Sequence, residues 1–196
     1  LNDKYWAEEF VHSYTQGWNQ FIPLETVLTV LRDKDFGPSV VGGNPENFSP
    51  LLASPDDLSW LLSNEDGAGW FVSLYTSGWS ENFSLESVLN ILRDRDYGPS
   101  VVVNFPKLFS PLMITTDDLS WLLSSEEGAL QFLAYYNYWW SDHFSQKDVL
   151  SILRNKDYGS TVITSEPKGF YYLFTTPDDL SWLLSTEDSA ANFLYR

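Results

Sequence analysis

Residues 54–62 read SPDDLSWLL, and the motif DDLSW at 56–60 returns at 117–121 and again at 178–182. Both returns stand 61 residues after the copy before, so this stretch sets the frame in which the whole chain is read. Its chemistry is that of a helix start. Ser54, Thr115 and Thr176 offer a hydroxyl to the first free amides, Pro55 and Pro177 are tolerated at the first helical position, and paired carboxylates such as Asp56 and Asp57 suit the positive end of the helix dipole. Leu58, Leu61 and Leu62 follow at i, i+3 and i+4, a single apolar stripe. The spacing predicts a short helix.

Laid out on the 61-residue period, residues 1–61, 62–122 and 123–183 superimpose without a gap, and 184–196 begin a fourth copy. Internal repetition of this length points to a tandem array. A second helix start follows at Ser63 and Ser124, each with an acidic residue at capping-box spacing. The helix it opens carries Phe71, Tyr75 and Trp79, repeated as Phe132, Tyr136 and Trp140 and as Phe10, Tyr14 and Trp18. Steps of four place the three rings on one helical face. Large aromatics at that spacing pack a core; the alternative is a stacking surface for a sugar or pigment.

A third helix opens at Ser84 or Ser145, with the stripe Leu85, Val88, Leu89 and Leu92 in one copy and Leu24, Val27, Leu28 and Leu31 in another; Leu153 holds the matching place in the third copy. It ends in RDKDFG, RDRDYG or RNKDYG. Gly37, Gly98 and Gly159 suit left-handed caps, and Arg32, Arg93 and Arg154 lie at the negative dipole end with Asp35, Asp96 and Asp157 three residues on. Beyond the glycine the period changes. Residues 160–164 and 170–174 alternate as strands around a turn, which predicts a β-hairpin, and 101–103 with 109–114 form its counterpart, where Pro111 would need an edge or a bulge.

The fold class expected is therefore mainly α, with an α+β variant open: a tandem array of three 61-residue units, each three short helices followed by a β-hairpin or extended loop. Unit 1 is 1–61, which lacks the short DDLSW helix before its second helix; units 2 and 3 are 62–122 and 123–183; 184–196 are a partial fourth. Units this short bury little apolar surface alone, so neighbours are expected to share a core. Residues 184–196 repeat the second helix only as far as Phe193. The expectation is a segment of a longer repeat chain, or one whose ends another subunit covers.

The 196 residues are 43% hydrophobic and 17% aromatic, the composition of a folded chain. A formal charge of −16 repels phosphate backbones and favours basic protein faces. There is no cysteine, no apolar run approaches the roughly 18 residues that cross a bilayer, and the first residues lack the character of a signal peptide. Compartment is not encoded.

Catalytic chemistry is thin. His12 and His143 fall in different phases of the repeat, unlike a general base or metal ligand copied with the unit. Asp33 and Asp35 alternate as in a calcium loop, but Lys34 stands between them and the glutamate that would close the loop is lacking, so neither metal nor cofactor is expected. Three helices and a hairpin are similar in element order to a winged-helix domain, yet the charge opposes DNA. The functional expectation is a non-enzymatic structural or interaction protein, a linker or scaffold binding proteins with basic contact faces. Its alternative is a ligand-binding protein walled by Trp60, Trp121 and Trp182 or by Trp18, Trp79 and Trp140.

Overall fold

The DDLSW segments fold as their chemistry dictates. In the computed structural model, which describes residues 2–195, the Ser54 hydroxyl accepts from the Asp57 amide at 3.2 Å while the Asp57 carboxylate accepts from the Ser54 amide at 3.0 Å. This reciprocal box recurs at Thr115 with Asp118 and at Thr176 with Asp179. The described residues form α-helices, 3-10 turns and a π-helical turn with no β-strand, so the chain is mainly α.

They fall into two compact units that divide between Tyr97 and Gly98. The first holds α1 (Lys4–Ser13), α2 (Leu24–Arg32), α3 (Gly37–Gly42), α4 (Pro45–Phe48), α5 (Pro55–Leu61), α6 (Glu65–Ser73) and α7 (Leu85–Arg93). The second holds α8 (Gly98–Asn104), α9 (Pro106–Phe109), α10 (Thr116–Leu122), α11 (Glu126–Tyr135), α12 (Gln146–Leu153), α13 (Gly159–Ser165), α14 (Pro177–Leu183) and α15 (Glu187–Tyr195). In the first unit α3 is the hub, packed against α1, α2, α5 and α6. In the second, α11 lies against both α8 and α13, and α15 lies against α13. Leu31, Leu92 and Leu153, on the stripes of α2, α7 and α12, are fully buried.

The expected hairpins are absent among the described residues. Residues 160–164 lie in α13, 101–103 in α8, and both 109–114 and 170–174 contain 3-10 turns, Ser110–Leu112 and Tyr171–Leu173. The reason is burial. Every residue of α3 is buried, and nearly all of α8 and α13. A short apolar run covered on all sides carries no periodicity to tell helix from strand. Pro111 sits in a 3-10 turn, where no sheet ladder asks for its missing N–H.

Gly37, Gly98 and Gly159 are not left-handed caps; each is the first residue of the buried helix, and positive φ among the described glycines occurs at Gly17 and Gly78. What excludes a side chain at Gly37 and Gly159 is crowding. A Cβ there would lie 2.0 Å from the Leu31 carbonyl oxygen and 1.8 Å from that of Leu153. The second helix start also shifts by one residue, to Asn64 and Ser125, whose side chains accept from Gly67 at 2.7 Å and Gly128 at 3.1 Å. Ser63 and Ser124 are still finishing the preceding helix, their amides bonded to the carbonyls of Trp60 and Trp121.

Candidate interaction site

Phe71 belongs to α6, but Tyr75 and Trp79 lie beyond its end, in consecutive 3-10 turns at Tyr75–Ser77 and Trp79–Glu81. The expectation of three rings on one unbroken helix is corrected here, because the positive φ of Gly78 turns the chain between them. The rings nevertheless converge. Phe71 stands 6.2 Å from Tyr75 and 5.2 Å, stacked, from Trp79. In the second unit Phe132 stands 5.9 Å from Tyr136 and 5.4 Å, stacked, from Trp140. Phe10 also lies near both of its counterparts, edge-on to Tyr14 at 6.2 Å and tilted, not stacked, against Trp18 at 5.6 Å. The Tyr75 and Tyr136 hydroxyls donate to the carbonyls of Phe83 and Phe144, and burial pushes the Tyr136 hydroxyl up to about 12.

Trp79 and Trp140 are fully buried and show no face to solvent, whereas Trp18 is 49% exposed. As ligand walls these three tryptophans are therefore not equivalent. Trp60, Trp121 and Trp182 sit half-buried on α5, α10 and α14. Arg32 lies over the Trp60 ring at 5.1 Å from its centroid, and Arg154 over Trp182 at 5.4 Å. Each guanidinium also donates to a capping carboxylate, Arg32 to Asp57 and Arg154 to Asp179. That pairing replaces the expected partners Asp35 and Asp157, because the capping carboxylate is already fixed by its own helix. Arg93 is exposed at the end of α7.

The carboxylates in these composites are spent. Asp57 accepts from the Ala53 and Ser54 amides, the Ser54 hydroxyl and Arg32. Burial pushes its carboxyl up, but the donors from Ser54 and Arg32 outweigh that and hold it below the ordinary carboxylate value. The Thr176 hydroxyl, Arg154 and the Thr176 and Thr175 amides hold Asp179 well below it. The pair Asp56 and Asp57 thus provides one exposed carboxylate and one engaged in capping its helix.

In the second unit, α13, α14 and α15 with the turn at 171–173 border a mainly apolar cavity of about 710 Å³ that is open to solvent on one side. Ile163, Tyr171, Phe174, Leu180, Leu183 and Phe193 form much of its wall. The sequence placed Phe193 in phase with Phe71 and Phe132 but carried no sign of the cavity beside it.

His12 and His143 are exposed and far apart in sequence, and among the described residues no three histidine, cysteine, aspartate or glutamate side chains are grouped to hold a metal ion. No helix among them is long and apolar enough to cross a membrane. Compared with family models, curated proteins and solved structures, the chain shows no significant match.

Proposed function

We propose that this chain is a non-enzymatic tandem-repeat interaction protein, a linker or scaffold of three 61-residue units and a partial fourth, that presents equivalent faces to other proteins. The observation that carries this reading is the composite of a half-buried tryptophan, an arginine stacked on it and a capping aspartate gripping that arginine. It stands at Trp60, Arg32 and Asp57 and again at Trp182, Arg154 and Asp179. Tryptophan and arginine dominate the energetics of protein interfaces, and here the arginine is held in place before a partner arrives, which lowers the ordering cost of binding. With −16 charges on the chain, the partner face is basic.

The test is binding of a lysine-rich helical peptide to the intact chain, measured by calorimetry across a salt series. Affinity should fall as salt rises and drop about tenfold or more in the double variant Trp60→Ala, Trp182→Ala, whose charge is unchanged. Binding that ignores both changes would remove the composite from the interface.

A second reading, a protein that binds an apolar ligand, is favoured by one observation, the 710 Å³ cavity, whose volume suits a small organic molecule.

A further inference from the structure

The second unit carries two aromatic stripes on the same stretch of chain. Phe132, Tyr136 and Trp140 are buried, whereas Tyr135, Tyr138 and Trp139 are 40%, 78% and 36% exposed. Tyr135 ends α11 and the other two belong to the π-helical turn that continues it, so their spacing of i, i+3 and i+4 sets them on one side. The fold does not need these rings. On the 61-residue period they correspond to Leu74, Ser77 and Gly78 and to Ser13, Gln16 and Gly17, while the buried stripe keeps phenylalanine, tyrosine and tryptophan in all three copies. Gln16 and Ser77 are exposed as Tyr138 is, so the position itself faces solvent.

Placing rings there carries a structural cost. The positive-φ glycine of the other two copies is gone, the paired 3-10 turns give way to a π-helical turn, and the buried indole N–H of Trp140 is left without a partner. Irregular turns of this kind and orphaned buried donors collect at functional sites. Lys107 of α9 adds a polar rim. Its ammonium lies 5.3 Å over the centroid of the Trp139 ring and has no carboxylate partner among the described residues. Asn137 is exposed in the same turn, and its side chain makes no hydrogen bond among the described residues.

We propose that this exposed stripe is a binding platform for a neutral oligosaccharide, whose sugar rings lay their C–H faces on Tyr135, Tyr138 and Trp139 while their hydroxyls accept from Lys107 and pair with Asn137. The negative faces of the rings attract polarised C–H groups as the Trp139 face attracts the Lys107 ammonium. Size argues against a protein partner. At about 150–250 Å² per ring the exposed aromatic area is roughly 300 Å², against about 800 Å² per partner in a stable protein interface. Exposure argues against a wholly apolar ligand, which needs about 70–90% of its surface enclosed, whereas a sugar keeps its outer hydroxyls in water. Charge argues against stacked nucleobases, because −16 charges repel their phosphates.

The experiment titrates the intact chain with cellohexaose, chitohexaose and maltohexaose by calorimetry at low and high salt. At least one hexamer should bind with a Kd of about 1 mM or tighter, at an affinity that salt leaves unchanged because the ligand is uncharged. Salt weakens a lysine-rich peptide at the Trp60 and Trp182 composites, so the two readings fail separately. The double variant Tyr138→Ser, Trp139→Gly restores the residues of the first unit's turn. It should lose about tenfold or more in affinity and unfold at no lower a temperature than the unmodified chain. Tyr138→Ala alone, at the most exposed ring, should weaken binding as well. The proposal is overturned if none of the three hexamers binds, or if both variants bind them as the unmodified chain does. It is equally overturned if restoring serine and glycine lowers the unfolding temperature, since the rings would then be packing residues. A decamer of proline, the other flat partner of exposed rings, binding more tightly than every hexamer would assign the stripe to proteins instead.

Discussion

The indole N–H of Trp79 donates to the carbonyl oxygen of Gly42 at 2.9 Å, whereas Trp140, equally buried and stacked on its phenylalanine at nearly the same distance, has an indole nitrogen without a hydrogen-bond partner. The cause lies one residue earlier. Gly78, at φ 159°, lets the chain turn between two 3-10 segments, while Trp139 stands at that position in the second unit and the backbone runs through a π-helical turn, Tyr136–Trp140, instead. Trp79→Phe strips a partner from a buried carbonyl; Trp140→Phe removes a group that had none. Denaturant melts should therefore find Trp79→Phe the costlier substitution by about 1–2 kcal/mol, and equal losses would deny the Gly42 bond any net contribution.

Two glycines separate crowding from conformational freedom. A methyl at Gly69, inside α6, meets nothing within 4 Å, so Gly69→Ala should stabilise by about 0.5–1 kcal/mol. Gly37→Ala forces its Cβ onto the Leu31 carbonyl and should cost about 2 kcal/mol or more. Thermal unfolding reads both, and a neutral Gly37→Ala would mean the end of α2 yields freely.

Acid stability follows from Asp57 and Asp179. Both carboxyls are held below their ordinary value of about 3.9, so the unfolded chain binds protons there that the folded chain refuses. Their stabilising contribution is complete above that value and is lost as pH falls through the lower folded values. Stability measured from neutral pH downward should begin to fall near pH 5, and Asp179→Asn should flatten part of the decline. An unchanged slope in that variant would place the acid sensitivity elsewhere.

Leu31, Leu92 and Leu153 are fully buried on α2, α7 and α12. Each should lose about 2–5 kcal/mol on substitution by alanine. Three similar losses in urea titrations would support structurally equivalent repeats; a loss below about 1 kcal/mol at any one would break the equivalence.

Much of the helical part was legible because its signals are local. Ser54 with Asp57 is a cap that two residues define, and the stripe of α7 lies on a helix with one face exposed, where periodicity survives. The misread segments failed for the opposite reason. Val40 and Val41, or Val101 to Val103, are covered on every side, so nothing in their pattern distinguishes a buried helix from a buried strand. Gly37 misled because crowding against Leu31, a feature of three-dimensional packing, leaves the same residue behind as a left-handed cap does. Arg32 reaching Asp57 instead of Asp35 was hidden for a related reason, since a through-space choice between two acids depends on which is already anchored. The cavity beside Phe193 had no local sign at all.

The grip of Arg32 on Asp57 and of Arg154 on Asp179 spans 25 residues, the Tyr75 and Tyr136 bonds span 8, and the Trp79 bond spans 37. Stabilising links of such modest reach make for low contact order and small loop-closure costs, which favours rapid folding. They also mean that during synthesis a helix can be locked as soon as a few dozen further residues have left the ribosome, because the residues that cap, clamp and cover it arrive soon after it. A chain of this design solidifies from its first residues onward as it emerges, with little need to wait for its far end.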